Sequence, residues 1–287
     1  MIEINAGISS TGSRFGCSRL KTDVLDSVPD MIVIEFAVND YGTGDSMYIR
    51  DCMEGLVRQC LAYKNDVPVL LLFMSKGDGS NVQDLHADVG RYYNLPMISY
   101  RDAIWPLVER NWAMFDTFFH DDPHPNDNGH FLCGYLLYSF LKNALWSKDD
   151  AEQVMAPYRY SDLYQYAGIA TSADTVVRIT GSGWDAVVDK NDRVGARSSI
   201  DGARLILKGN FRELGLGLHM QPSDNSSIHV IVDAGIADST INDYYVFEYT
   251  KFVRLVVSDS TLPHTAEIVH QGGKPFVIDY ILYAKKP

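Results

Sequence analysis

Short apolar runs alternate with amphipathic stretches from the N-terminus to about residue 148. Met31–Phe36 and Pro68–Met74 are nearly continuous apolar runs, a pattern typical of strands buried on both faces. Pro96–Tyr100 is a shorter run, and Ile2–Asn5 has the pattern of the end of a fourth strand. Helical stripes lie between or after these runs, at Leu20–Val28, Ile49–Leu61, Val82–Tyr92 and His130–Trp146. Because strands and helices alternate, the pattern predicts an α/β fold with a parallel sheet and helices on both faces.

The period of the hydrophobic pattern changes after Trp146. Residues 149–171 are polar and predict a linker with one helical turn. From Ser172 onward, about nine short alternating runs separated by Gly, Asp, Asn and Ser predict an antiparallel, jelly-roll-like β-sandwich. Four of these runs, ARLILKG, LGLGLHM, FVRLVV and TAEIVH, are interpreted as separate strands. The predicted organisation is therefore a domain at 1–148, a linker at 149–171 and a sandwich domain at 172–287.

Composition and charge narrow the classes of function. The chain has 287 residues, of which 46% are hydrophobic and 22% charged, which is typical of a globular protein. A formal net charge of −12 without a run of Lys or Arg argues against binding to nucleic acid or to an anionic membrane surface. No apolar run approaches the roughly 20 residues of a membrane span.

The cysteines and the first residues bear on the compartment. Cys52 and Cys60 are eight residues apart in a predicted helix, about 12 Å along its axis, which is too far for a disulfide. Together with Cys17 and Cys133 they are interpreted as free thiols with structural roles. The sequence MIEINAGISS lacks the pattern of a secretory signal. A cytoplasmic location is favoured, with the possibility left open that the natural N-terminus lies upstream of Met1.

The segment HDDPHPNDNGH, residues 120–130, is the strongest candidate for chemistry, with three histidines and three aspartates in eleven residues. One interpretation is a metal site with His120, His124 and His130 as ligands, although the spacing matches no standard zinc pattern. A structural interpretation has Asn126 or Asp127 capping the last helix, with His130 in its first turn, and this is favoured.

A third interpretation concerns Asp121 and His124. A carboxylate three residues before a histidine can turn back and bond one imidazole nitrogen, which leaves the other nitrogen free to take a proton. Pro123 and Pro125 flank His124 and stiffen its backbone. The spacing therefore predicts a general base held by an orienting acid.

Three blocks together resemble the SGNH hydrolase superfamily, also called GDSL esterases. DDPHP at 121–125 is similar to its D-x-x-H-P block, and AVND at 37–40 is similar to its G-x-N-D block. NAGISSTGS at 5–13 is similar to its glycine block. The resemblance covers roughly residues 1–146, and Ala37 replaces the usual glycine of the second block.

The resemblance implies a flavodoxin-like three-layer α/β/α domain and a serine esterase that needs no cofactor and no metal. In it His124 and Asp121 are catalytic, and the Asn39 side chain and the Gly7 backbone N–H form the oxyanion hole. With an appended sandwich, the chain looks like a carbohydrate esterase that removes acyl groups, above all acetyl, from carbohydrates or small esters. Trp184, Tyr244 and Tyr245 are then candidates to face sugar rings, or else belong to the sandwich core.

The nucleophile is not identified. The family's serine lies in a G-D-S block on an earlier strand, so the expected serine lies upstream of Met1. Gly44-Asp45-Ser46 has the same three residues as the G-D-S block but follows the Asn39 block. The similar sequence GDGS at 77–80 also lies after the Asn39 block and not on the expected earlier strand. Asp45 or Ser46 is interpreted as the N-cap of the next helix, with Ser46 as the fallback nucleophile.

The absent strand leaves several alternatives open. Without it the sheet would have a gap of nearly 10 Å, because neighbouring strands lie about 4.8 Å apart. A longer natural protein, a second chain, or another strand of this chain would fill that gap. Two other functions are carried as alternatives: a catalytically inactive glycan-binding protein, and a metal-dependent hydrolase that uses the histidine cluster.

Overall fold

The structure, a computed structural model, describes residues 2–64, 67–146, 153, 155–222, 226–235, 237–245 and 248–286. The chain divides into two compact units. One unit comprises Gly12–Gly16 and Val24–Asp162 and holds the parallel sheet. The other comprises the residues up to Thr11, Cys17–Asp23 and the chain from Leu163 onward, and it holds a large antiparallel sheet.

The parallel sheet has three strands in the order β1-β2-β3. They are β1 (Ile32–Ile34), β2 (Val69–Phe73) and β3 (Met97–Ser99). The helices of the first half are α1 (Ser13–Asp23), α2 (Ser46–Tyr63), α3 (Gln83–Tyr92), α4 (Tyr100–Arg110), α5 (Phe115–Phe118) and α6 (Asp127–Trp146). Short 3₁₀ helices occupy Leu25–Ser27, Asn39–Thr43 and Trp112–Met114, and a hairpin is formed by β4 (Phe119–Asp121) and β5 (His124–Pro125). No helix in the described part of the chain has the length and apolar character needed to cross a membrane.

Helices cover both faces of the parallel sheet. Leu70 and Leu72 of β2 share a buried cluster with Ile104 of α4 and Cys133 of α6. Leu71 points to the opposite face because side chains alternate along a strand, and it lies against Gly90 of α3. The predicted α/β class with a parallel sheet is therefore confirmed.

The prediction of a fourth strand at Ile2–Asn5 is wrong. These residues form no strand, and the Ile2 and Ile4 side chains are 91% and 52% exposed. In the described residues no strand pairs with the outer edge of β1, and Val33 is 41% exposed, so β1 is not buried on both faces as predicted. An apolar run becomes a strand only where a neighbour accepts its backbone hydrogen bonds, and here the structure shows none.

The first predicted helix also begins earlier than its apolar stripe. α1 begins at Ser13, whose backbone N–H donates to the buried Asp40 carboxylate at 2.8 Å. The second half of the stripe, Leu25–Ser27, is a separate 3₁₀ helix that ends at Val28 in the left-handed region, at φ 55°. A stripe spaced for one helix is thus divided between two.

Part of the predicted linker is anchored to the α/β unit. The Glu54 side chain of α2 is fully buried and accepts hydrogen bonds from the backbone N–H groups of Arg159, Tyr160 and Ser161 at 2.6, 2.7 and 2.8 Å. It also accepts one from the Tyr93 hydroxyl at 2.6 Å. These bonds satisfy a carboxylate that would otherwise be costly to bury, and they attach the segment before Asp162 to α2.

The second unit holds nine antiparallel strands among the described residues, and hydrogen bonds connect them into one sheet. The strands are β6 (Ala167–Ile169), β7 (Val177–Ser182), β8 (Asp185–Val188), β9 (Val194–Ser198), β10 (Arg204–Met220), β11 (Ser227–Val232), β12 (Ala237–Asn242), β13 (Tyr249–Gln271) and β14 (Phe276–Ala284). The main path runs β12-β11-β13-β10-β14-β9-β8, with β6 beside β14 and β7 beside β10. Their inward side chains form a single core cluster.

Several strand boundaries differ from the prediction. The runs ARLILKG and LGLGLHM form one strand of 17 residues, β10, and FVRLVV and TAEIVH belong to the 23-residue β13. Register shifts on either side of Glu213 let β10 continue, so that it pairs with β7 at its start and β14 at its end. β6, β9 and β12 were not predicted, and DYYVFEYT falls partly on residues outside the described ranges.

Candidate functional site

The hairpin β4–β5 brings Asp121 and His124 side by side. The two residues are cross-strand partners, with Asp122 and Pro123 forming the turn between them. The His124 Nδ1 lies 2.6 Å from the Asp121 Oδ1, and the same oxygen accepts the His124 backbone N–H at 3.1 Å. An ionised carboxylate only accepts, so Nδ1 carries the proton and Nε2 presents a lone pair. In the part of the chain that the structure describes, no group bonds Nε2, and the His124 side chain is 71% exposed.

The hydrogen bonds from His124 keep Asp121 ionised. Desolvation raises the pKa of the Asp121 carboxyl, but the bonds from the His124 ring and backbone outweigh it and hold the pKa below its ordinary value. The dyad therefore has a charged carboxylate on one imidazole nitrogen and an open acceptor on the other. This is the arrangement that a general base requires.

Asn126 fixes the hairpin against α6. Its Oδ1 accepts the backbone N–H groups of Asn128 and Gly129 at 3.0 and 3.2 Å, which is N-cap geometry for α6. Its amide donates to the backbone oxygens of Asp116 and Phe119 at 3.0 and 3.3 Å. Asn126 is therefore the cap among the two predicted candidates, and it holds the chain two residues after His124.

Gly129 permits the close packing of this region. A Cβ at Gly129 would lie 2.3 Å from the Phe118 carbonyl oxygen and 2.8 Å from Pro125 Cβ. His130 follows in the first turn of α6, and its side chain is exposed. The structural interpretation of this helix start is confirmed.

A second contact network joins the hairpin to the loops that follow β1 and β2. The Asp122 carboxylate accepts the Gly77 backbone N–H at 2.8 Å and pairs with Lys76 Nζ at 3.0 Å. The hydrogen bond with Asp122 raises the pKa of Lys76. The Lys76 ammonium also lies 5.7 Å from the centre of the Tyr41 ring, two residues after Asn39. The hairpin, the loop after β2 and the Asn39 turn therefore lie at the same edge of the sheet.

Lys76 and Asp122 were missed by the sequence reasoning. A weak signal existed, because Lys76 follows a buried parallel strand, and such strand ends gather at one edge of a sheet. Asp122 lies inside DDPHP, but its role could not be separated from that of Asp121 by spacing alone.

Asn39 is held outward by the residue that follows it. Asn39 is exposed and begins the 3₁₀ helix Asn39–Thr43, whereas Asp40 is 3% exposed. The Asp40 carboxylate accepts the Ser13 backbone N–H at 2.8 Å and lies 3.0 Å from His86 Nε2. This anchorage turns one residue of the pair inward and leaves the Asn39 side chain at the surface.

Gly7 lies in the other unit, and its backbone N–H donates to the Asn5 Oδ1 at 2.8 Å. In this structure the predicted oxyanion donor is thus engaged in a local turn. Its assignment to the oxyanion hole stays a prediction.

Asp45 and Ser46 occupy different positions at the start of α2. Asp45 is the N-cap of α2, and its side chain accepts the backbone N–H groups of Met47 and Tyr48 at 3.1 and 3.0 Å. Ser46 is the first helical residue, so the expectation that Ser46 is itself a capping serine is wrong. The longer Asp side chain reaches two N–H groups from the position before the helix, which a residue inside the first turn cannot do.

The histidines of residues 120–130 and the four cysteines are the remaining candidates for chemistry. His120, His124 and His130 line one open depression, and within the described residues no group of three His, Cys, Asp or Glu could hold a metal ion. None of the four cysteines, all of which the structure describes, forms a disulfide, and all four are buried. Burial raises the pKa of Cys60 to about 12, which makes its thiol unreactive.

The three aromatic candidates of the antiparallel unit differ in exposure. Trp184 packs against the core cluster, as the structural interpretation predicts. Tyr244 and Tyr245 are 51% and 40% exposed, and Tyr245 contacts Tyr249 edge to face. Trp184 is thus partly buried, whereas the two tyrosines are exposed.

Comparison with known proteins gives a match in structure alone. No family model matches the chain, and no curated protein matches it. Two crystal structures of a two-domain esterase active on acetylated mannans, one co-crystallised with mannopentaose, are 24% identical to this chain, with a TM-score of 0.87. The match covers 99% of this chain and 80% of that one. A family two carbohydrate esterase from Cellvibrio japonicus, 17% identical with a TM-score of 0.32, covers 42% of this chain and is too distant to inform the fold. The chain therefore has the fold of the two-domain mannan esterase over nearly its whole length.

Proposed function

We propose that the chain is an SGNH-type serine esterase that removes acyl groups, acetyl above all, from a carbohydrate or a small ester. The α/β unit would be the hydrolase and the antiparallel unit an accessory domain. The observation that carries the proposal is the Asp121–His124 pair, with Nδ1 bonded at 2.6 Å and Nε2 open. The shared fold with an esterase active on acetylated mannans supports the substrate class.

In the proposed reaction, His124 Nε2 takes the proton of a serine hydroxyl as the serine oxygen attacks the acyl carbon. The Asn39 amide would donate to the oxyanion of the tetrahedral intermediate, and the sequence-based assignment of the Gly7 N–H as a second donor stays a prediction. The imidazolium then gives its proton to the leaving alcohol oxygen as the ester bond breaks. Water then attacks the acyl-enzyme as His124 takes its proton, and the imidazolium returns that proton to the serine oxygen as the acyl bond breaks and the acid leaves. Asp121 stays ionised throughout and orients the ring.

The proposal takes the nucleophilic serine from a strand beside β1, carried by a segment upstream of Met1 or by a second chain. Its support is the outer edge of β1, which has no strand partner in the described residues, and the exposed Val33 side chain. An unpaired strand edge favours the addition of another strand.

The test compares two histidines of the same depression. His124→Ala should lower kcat for p-nitrophenyl acetate and for acetylated mannan by about 10²–10⁴. His130→Ala should retain the wild-type rate, because of these two histidines only His124 has an orienting carboxylate. Both substitutions are made in the longest natural form of the protein and in the 287-residue chain. A His124→Ala variant with most of the wild-type kcat would refute the assignment.

The alternative is a catalytically inactive protein that binds glycans. Two observations favour it: no hydroxyl bonds His124 Nε2 in the described residues, and Tyr244 and Tyr245 are exposed. Binding of mannopentaose without any hydrolysis of acetyl esters by the longest form would select this alternative over the esterase.

A further inference from the structure

Three aromatic rings form a stack that ends at the hairpin of the candidate site. We call Trp112, Phe115 and Phe119 the aromatic ladder. The Trp112 and Phe115 rings lie 5.1 Å apart with 19° between their planes, and the Phe115 and Phe119 rings lie 5.4 Å apart with 22° between theirs. Phe119 is the first residue of β4, two residues before Asp121, and is 3% exposed. The nearly parallel rings therefore lead from the base of the hairpin to the surface.

Trp112 is the outer ring of the ladder and is 60% exposed. Phe115 covers one face of its indole, so the exposed area lies on the other face and the edges. The turn that carries Trp112 is fixed by Asn111, whose side chain accepts the Ala113 N–H at 3.2 Å and whose carbonyl accepts the Met114 N–H at 2.9 Å. Phe115 therefore supports one face of the indole, and the other face is a flat apolar surface carried by a fixed turn.

The ladder is connected to the dyad by two contacts. Phe115 packs so closely on Gly77 that a Cβ there would lie 2.1 Å from its ring. The Gly77 N–H in turn donates to Asp122, the neighbour of Asp121. Trp112 is therefore linked through Phe115 and Gly77 to the hairpin that carries His124.

We propose that Trp112 is a binding platform for a pyranose ring of the substrate and positions an acylated sugar at His124. This inference rests on the proposed function for the substrate class. A pyranose has a face of C–H groups that gains by leaving water against a flat aromatic surface, while its hydroxyls stay solvated at the ring edge. The uncharged indole suits a neutral sugar and offers nothing to an anionic one.

The test is calorimetric titration of the full chain with mannopentaose, cellopentaose and xylopentaose. Trp112→Ala should weaken the Kd of the best of these sugars by about tenfold or more, as loss of a central aromatic contact does. Trp112→Tyr should stay within about threefold of wild type because it keeps a flat ring. Tyr138→Ala is the matched control, since Tyr138 is also 60% exposed but belongs to α6 and is not one of the three stacked rings, and it should leave the Kd unchanged.

Two results would overturn the platform: no binding of any of the three sugars, or a Trp112→Ala variant that binds within twofold of wild type. Hydrolysis of p-nitrophenyl acetate by the longest natural form of the protein tests the proposed function separately, because this ester has no sugar ring to stack. Hydrolysis without a Trp112 effect refutes the platform alone. Trp112-dependent binding without hydrolysis supports the platform and refutes the esterase.

Discussion

Asp121 Oδ1 is the shared acceptor of both hydrogen bonds from His124, at 2.6 Å from Nδ1 and 3.1 Å from the backbone N. An amide oxygen can keep the backbone bond but lacks the charge that stabilises an imidazolium. We therefore expect His124→Ala to lower kcat for an acetyl ester by about 10²–10⁴ and Asp121→Asn to lower it by the same factor or less. Asp127→Asn, on an exposed aspartate of the first turn of α6, serves as the control. Equal kcat values for wild type and Asp121→Asn would show that the carboxylate has no catalytic part.

The Asn39 side chain is predicted to act only on the transition state. Asn39→Ala should lower kcat by about 10² or more with little change in KM, because an oxyanion donor contributes once the carbonyl oxygen becomes negative. Asn39→Asp should be at least as severe, since a carboxylate cannot donate to an oxyanion. Steady-state kinetics on p-nitrophenyl acetate provides the measurement. An effect confined to KM would assign Asn39 to ground-state binding.

Most elements of the α/β unit could be predicted because the burial of their side chains leaves a periodic pattern of apolar residues in the sequence. The buried β2 and the amphipathic α2 and α3 match their apolar patterns closely. The Asp121–His124 contact was also predictable, because its three-residue spacing is local and the turn between the two residues is short.

The pairing of the strands could not be predicted, since it depends on residues distant in sequence, and neither could the stacking of the side chains that support Trp112. Ile2–Asn5 has the apolar content of a strand but no neighbour to bond in the described residues. β10 and β13 stay continuous through polar residues because they pair with each other at both ends, from Arg204↔Val269 to Met220↔Tyr249, across two register shifts. The exposed Trp112 looks like any loop aromatic until the stack behind it is seen.

Glu35 should make stability depend on pH. Burial raises the pKa of the Glu35 carboxyl above its ordinary value of 4.5, against the opposing effect of hydrogen bonds from the Ala37 and Met74 backbone N–H groups. The folded state then holds the proton more tightly than the unfolded state, so stability is lost as pH rises from about 4.5 through the raised pKa. Urea unfolding from pH 4 to 8 should show wild type becoming less stable relative to Glu35→Gln as pH rises. Glu109→Gln, on an exposed residue of α4, should show no such trend, and a pH-independent difference for Glu35→Gln would contradict the prediction.

The buried Glu54 should hold the segment before Asp162 on α2. Glu54→Ala leaves three backbone N–H groups without their acceptor, so we expect a loss of about 3 kcal/mol or more in the free energy of unfolding. Limited proteolysis should cleave near Arg159 faster in the variant than in wild type. Unchanged stability together with an unchanged cleavage rate would mean that other contacts hold the segment.

The last prediction concerns Asp45 and Ser46, which the structure assigns to different roles. Asp45 caps α2 through two backbone N–H groups, so Asp45→Ala should cost about 0.5–2 kcal/mol of stability. Ser46 lies one position inside the helix and is exposed, so Ser46→Ala should cost less than about 0.5 kcal/mol and leave the rate of ester hydrolysis nearly intact. A serine-reactive fluorophosphonate followed by peptide mapping tests the nucleophile directly. Labelling should be absent from Ser46, with Ser80 of the GDGS loop as the internal comparison. Stoichiometric labelling of Ser46 with loss of activity would instead make it the nucleophile, and the strand proposed beside β1 would no longer be needed for catalysis.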